Sequence, residues 1–184
     1  MQCNIRSELE ERRSRVGFLS KLFGDQKGDD SSTAVQAVDH SLADDKWLAE
    51  SSRIFEATID QHYGSPESMA EPAKVHYGYQ NFGVAMFFYG KSIDMLQTAY
   101  GFSGMADRQP SPADAWIVDG YVSAIGAGLS MHPDAPIGES AKTTIGLLQN
   151  IASECERVGA PPQLYSDAAE RIAFEARNQL TTSA

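Results

Sequence analysis

The chain is short of the residues that define several protein classes. Two cysteines, Cys3 and Cys155, stand among 184 residues. A secreted scaffold stapled by disulfides carries more, in regular spacings, so that class is excluded. No run approaches the roughly 18 consecutive apolar residues of a membrane span, and none has the layout of a cleaved signal peptide. No Asn-x-Ser/Thr acceptor occurs. Basic side chains are also scarce, with 15 Lys and Arg against 25 Asp and Glu and a net charge of −10. Nucleic-acid affinity rests on Lys and Arg displacing counterions, so binding of DNA or RNA is not expected. The expectation is an acidic, soluble, cytoplasmic domain.

The charge is unevenly placed. Residues 1–30 hold six basic and six acidic side chains, and the whole net charge resides in residues 31–184. Within the first segment Ile5, Leu9, Val16, Leu19, Leu22 and Phe23 recur on one helical face, with Arg12, Arg13, Arg15 and Lys21 elsewhere. A short basic amphipathic segment can lie on an anionic membrane surface, and residues 16–24 carry that alternative of a peripheral adaptor. Val16-Gly-Phe-Leu-Ser-Lys-Leu-Phe-Gly24 also resembles the opening of many bacterial cytoplasmic proteins, which leaves open whether residues 1–15 belong to the native chain. Residues 25–33 contain no apolar side chain and read as a linker. The expected organisation is an amphipathic segment and linker over 1–33, one helical domain over 34–180 and a frayed tail over 181–184.

Hydrophobic periodicity points to helices throughout. The first should start near Ser41, with Ser41-Leu-Ala-Asp44 resembling a capping box. Its inward stripe is Leu48, Phe55, Ile59 and Tyr63, with Trp47 and Ile54 alongside, and Gly64-Ser65-Pro66 should stop it. From Pro72, expected in the first turn of the next helix, Val75, Tyr79, Phe82, Met86, Tyr89, Ile93, Leu96 and Tyr100 alternate spacings of four and three. The other faces around Phe82–Tyr89 are apolar too, which marks a central, buried helix. Ser111-Pro-Ala-Asp114 reads as a cap, a first-position proline and a first-turn acid. For Trp116–Met131 two signals compete. Asp119-Gly120 suits a hairpin turn, whereas Ile117, Tyr121, Ile125 and Leu129 hold a helical stripe. An isolated hairpin would be marginal, so helix is expected. Two more stripes follow, Ile137–Val158 and Tyr165–Leu180, the second with Asp167 and Arg171 in the i,i+4 order that favours an ion pair. The fold class is all-α, with five or six mostly antiparallel helices and no strand.

Tyr79-Gln-Asn-Phe-Gly-Val-Ala-Met-Phe-Phe-Tyr-Gly90 resembles the first helix of a tetratricopeptide repeat, with Tyr79, Phe82, Gly83, Met86 and Gly90 in matching spacing. The second helix, toward Phe102, departs from the family pattern at Met95, Ala99 and Asp107, and a spacing of about 34 residues returns no second copy. The resemblance implies helical hairpins, a turn at Gly90 and a protein-binding groove. The stripe through Tyr100 implies one continuous helix instead, so the conformation at Gly90 stays open. Gly78, Gly83, Gly90, Gly120, Gly126 and Gly128 all fall inside expected helices. Each costs about 1 kcal/mol relative to Ala. Breaks in the helices would compensate, or close helix–helix approach, which the Ala and Ser neighbours favour for the two middle helices.

Catalytic spacings are missing. The histidines His40, His62, His76 and His132 form no zinc pattern; no metal or cofactor is expected. Asp60 and His62 fall on different helix faces. No phosphate-binding glycine loop or nucleophile elbow occurs. His132-Pro-Asp134 is the one compact polar trio. These readings point to a non-enzymatic helical module that binds a protein partner, with exposed aromatic and Met side chains as anchors. The alternative is a small-molecule site or enzyme using the aromatic run. The candidate binding residues are Tyr77, Tyr79, Phe82, Met86, Tyr89 and His132.

Overall fold

Six helices follow one another in the computed structural model, which describes residues 35–59, 63–101 and 109–180, the side chains of 177–180 excepted. They are α1 (Asp44–Thr58), α2 (Pro66–Gly78), α3 (Phe82–Gly101), α4 (Pro112–Met131), α5 (Gly138–Arg157) and α6 (Gln163–Leu180). Among the described residues there is no strand, and no helix is long and apolar enough to cross a membrane. The expectations for residues 1–33, including the basic segment 16–24 and Cys3, fall outside the described residues, as do Asp60, His62, Phe102 and the tail 181–184.

Four of the helices close a ring. Helix α3 packs on α4 and α5, and α6 packs on the same two, while the diagonal pairs meet only through side chains such as Tyr100 with Tyr165 and Tyr121 with Ser140. Direction follows from side-chain partners. Tyr100 meets Asp114 and Tyr89 covers Gly120, so α3 and α4 run antiparallel. Tyr165 meets Asp114 and Arg171 meets Asp119, so α4 and α6 run parallel. The tight turn at Gly159 (φ 74°) reverses α5 into α6. Outside this four-helix bundle, α2 lies against α3 and α4, and α1 lies against α3. Central α3 has the all-round apolar character expected of it, with Val84, Ala85, Phe88, Ile93 and Leu96 fully buried.

The long stripe from Val75 to Tyr100 does not form one helix, and the chain breaks between Gly78 and Phe82. Gln80 takes a left-handed conformation (φ 62°). Its N–H donates to the Tyr77 carbonyl at 3.0 Å, and that of Asn81 to the His76 carbonyl at 2.9 Å, which is the pairing of a Schellman cap. Glycine is the usual residue at the left-handed position of this cap, so a glutamine there gives no sequence signal. Because α2 ends at the break, Val75 and Tyr79 are exposed rather than inward. Helix α3 then runs through Gly90 without a turn.

Other boundaries move for local reasons. Ser41 does not cap α1; Ala43 holds that position, and the Ser41 hydroxyl donates to Asp39 at 2.7 Å instead. The inward stripe of α1 is Trp47, Ser51 and Ile54, one position off the expected Leu48–Phe55 line, and the helix stops at Thr58, well before Gly64. Helix α2 starts at Pro66 under a capping box of Ser65 and Ser68, which leaves Pro72 inside it rather than in its first turn. Asp167 and Arg171 do not pair as expected: Arg171 reaches across to Asp119 at 3.3 Å. The start of α4 is as expected, with Ser111 accepting from the Asp114 N–H at 3.1 Å, and Trp116–Met131 is helical.

Four of the six helical glycines are contact points. A Cβ on Gly120 would lie 2.6 Å from one ring carbon of Tyr89 and 2.9 Å from another, and a Cβ on Gly90 would lie 3.3 Å from the ring of Tyr121. Each of α3 and α4 thus sets a tyrosine over its partner's glycine. Gly83 and Gly128 form a slot for the Trp47 indole, 3.1 and 3.0 Å from their ideal Cβ positions. Gly78 and Gly126 face open space, so the close-approach explanation does not extend to them.

Candidate functional site

Between α3 and α5 a cleft of roughly 390 Å³ opens to solvent. Met86, Phe87, Gly90, Lys91 and Asp94 form its α3 wall, at helical spacing along two turns. Ser140, Thr143, Thr144 and Leu147 form the α5 wall. Phe55 of α1 and Tyr121 of α4 complete it. Gly90 lies on the cleft wall beside Tyr121 and Thr144, which cover the side its Cβ would occupy. Its lining is mainly apolar. Lys91 and Asp94 pair at the rim at 2.5 Å, an exposed i,i+3 contact of little energetic weight. Tyr121 is buried to 1% exposure, and burial pushes its hydroxyl up to about 12 although Thr144 hydrogen-bonds to it. This phenol stays neutral at ordinary pH and offers the cleft a ring edge, not a charge.

Two polar clusters lie elsewhere. In the first, the carboxylate of buried Asp114 accepts from Tyr100 (2.8 Å) and Tyr165 (2.7 Å) on one oxygen and from Ser111 (2.7 Å) on the other. The two phenol oxygens are 2.9 Å apart. Burial, then the hydrogen bonds to Tyr100 and Asp114 and their charges, hold the Tyr165 hydroxyl far above the usual phenol range. Burial also pushes the Cys155 thiol up, with Asp114 and Glu154 adding repulsion. A thiol kept protonated in this way is inert. The cluster ties α3, α4 and α6 together at one end of the bundle.

The second cluster joins α1 to the end of α4. His132 stacks on Trp47 with ring centroids 4.3 Å apart and planes at 14°, and His40 stacks on His132 at 6.0 Å. The His132 ring donates from Nδ1 to Asp44 at 3.2 Å, since a carboxylate can only accept; the other oxygen of Asp44 accepts from the Asp134 N–H at 2.8 Å. His132 Nε2, Trp47 Nε1 and His40 Nδ1 are buried with no hydrogen-bond partner among the described residues. Among the described residues no group of three or more His, Cys, Asp or Glu is placed to hold a metal ion.

The six residues singled out from the sequence are spread over these regions. Tyr77 and Phe82 meet edge to face, centroids 5.1 Å apart, at the α2–α3 break. Tyr79 beside them is 66% exposed. Tyr89 fills the α3–α4 contact at 1% exposure and so does not line an open pocket. Met86 alone of the six lines the cleft. His132 belongs to the Trp47 cluster. Sequence reasoning missed Asp44, Trp47 and the α5 wall. Asp44 and His132 are 88 positions apart, beyond any local motif, whereas the Ser140–Thr144–Leu147 spacing was readable as a helical face once α5 was placed.

Compared with known proteins, the chain matches no family model, no curated protein and no solved structure.

Proposed function

We propose that this domain is a non-enzymatic helical module of the cytoplasm that binds a protein partner, with the α3–α5 cleft receiving an apolar side chain of that partner. The observation that carries the reading is the cleft itself: Phe55, Met86, Phe87 and Leu147 line an open groove, while the ionisable clusters are closed and used for packing. A second reading, a small-molecule binder, draws on the cleft volume, which falls in the range of such sites.

Thr143 is exposed on the cleft wall, so Thr143→Trp fills the groove without touching the core. Cross-linked capture from native lysate should return a stoichiometric protein with the unaltered chain and with Phe174→Ser, a change on exposed α6 surface, and lose it with Thr143→Trp. Capture that survives Thr143→Trp would remove the cleft from the interaction. A thermal shift with a metabolite panel, lost in the same variant, would favour the small-molecule reading.

A further inference from the structure

We propose that α1 is a lid, a helix that swings off the bundle as a unit while α3–α6 stay folded. Three independent observations converge on it. First, α1 packs chiefly on α3, meeting α4 only where Trp47 reaches Gly128 and His132, and buries only Trp47, Ser51 and Ile54 of its 15 residues, whereas α3 buries ten of 20. Second, the three buried side-chain polar atoms without a hydrogen-bond partner among the described residues, His40 Nδ1, Trp47 Nε1 and His132 Nε2, all lie where α1 is seated. An unpaired buried nitrogen disfavours the closed state, and each of the three regains water when the helix lifts. Third, the attachments are nameable: beside the apolar packing of Ile54, Leu48 and Ile59 they come down to three specific contacts. Trp47 enters the slot between Gly83 and Gly128, Phe55 stacks on Phe87 and Phe88, and Asp44 latches to His132 and the Asp134 N–H.

A hinge is provided on the N-terminal side. The side-chain amide of fully buried Asn81 accepts from the Val38 N–H and donates to the Gln36 carbonyl, both at 3.1 Å. Residues 36–38 are thereby fixed to the start of α3, and motion of α1 is taken up between Asp39 and Ala43, where the cap has no side-chain hydrogen bond. Lifting α1 withdraws Phe55 from the cleft wall and uncovers Phe87. The lid therefore controls the shape of the cleft, yet it stands apart from the binding reading, because its test needs no partner.

Hydrogen–deuterium exchange of the full chain, read peptide by peptide, tests it. The α1 amides should exchange at least about tenfold faster than those of α3 and α4. Asp44→Ala should speed α1 exchange by a further factor of about ten by removing a charged latch, with α3–α6 unchanged. His40→Phe keeps a stacking ring but removes one unpaired nitrogen, and should slow α1 exchange. If α1 and α3 exchange at one common rate in the unaltered chain, or if His40→Phe and Asp44→Ala shift all helices together, α1 is part of a single cooperative unit and the lid is refuted. Should Asp44→Ala fail to fold, the unaltered chain and His40→Phe decide the matter.

Discussion

Gly120→Ala adds one methyl group where the structure has no room for it. The new carbon would sit 2.6 and 2.9 Å from ring carbons of Tyr89, against the roughly 3.5–4.0 Å of an ordinary carbon contact. The ring must retreat by about an ångström, but it is 1% exposed and also held edge to face by Trp116, 6.1 Å between centroids. Overpacking of a tight core costs about 1–3 kcal/mol, and a blocked aromatic ring belongs at the upper end. Replacing a mid-helix glycine by alanine returns about 1 kcal/mol of helix propensity. The net loss is about 2 kcal/mol, or a fall of roughly 4–8 °C in Tm for a domain of this size. Gly126→Ala in the same helix supplies the control, since nothing lies within 4 Å of its Cβ position. It should stabilise by up to about 1 kcal/mol. Urea and thermal unfolding followed by circular dichroism measure both. The reasoning is refuted if Gly120→Ala is as stable as the parent, or if the two alanines shift stability in the same direction.

Further predictions rest on other sites. His76 is buried, which lowers its pKa, and its Nδ1 accepts from Asn81 at 3.3 Å in the neutral form. The unfolded chain therefore binds this proton more readily, so stability should fall as pH drops below about 6.5 toward the folded value, and a His76→Phe variant should lose that dependence in chemical denaturation from pH 5 to 8. Asp114→Ala takes the acceptor from two buried tyrosine hydroxyls and should cost about 3 kcal/mol or more, with Tyr165→Phe nearer 1–2 kcal/mol, both read by urea unfolding. Gln80→Gly relieves a left-handed non-glycine residue and should raise stability by about 1 kcal/mol in the same assay. A destabilised Gln80→Gly would mean that the glutamine makes a contact outweighing its backbone cost.

Helices with a clean one-sided stripe were legible in the sequence. The cap and first-turn proline of α4, the stripe of α5 and the all-round apolar centre of α3 follow from spacing and local propensity. Boundaries set by distant partners were not. Asp44 looks like a capping acid until His132 is placed beside it, and Arg171 looks paired with Asp167 until α4 brings Asp119 within reach. The break at Gln80 hides inside an unbroken stripe because periodicity records which faces are apolar, not where the backbone reverses. Helical glycines announced close packing but not which ones pack; that depends on which aromatic ring lies opposite. The cleft is less legible still, since it is a space bounded by side chains of four helices, and of its lining only Met86 was singled out.

The crossed placement of Tyr89 over Gly120 and Tyr121 over Gly90 has a consequence for how this chain can drift. Enlarging Gly120 is tolerable only after the Tyr89 ring has shrunk, and a shrunken ring leaves a void until the glycine grows, whereas Gly90 needs Tyr121 to give by only a few tenths of an ångström. Positions 89 and 120 are thus bound to change as a linked pair in any lineage that keeps this bundle, their combined bulk held nearly constant, while 90 and 121 are coupled more loosely.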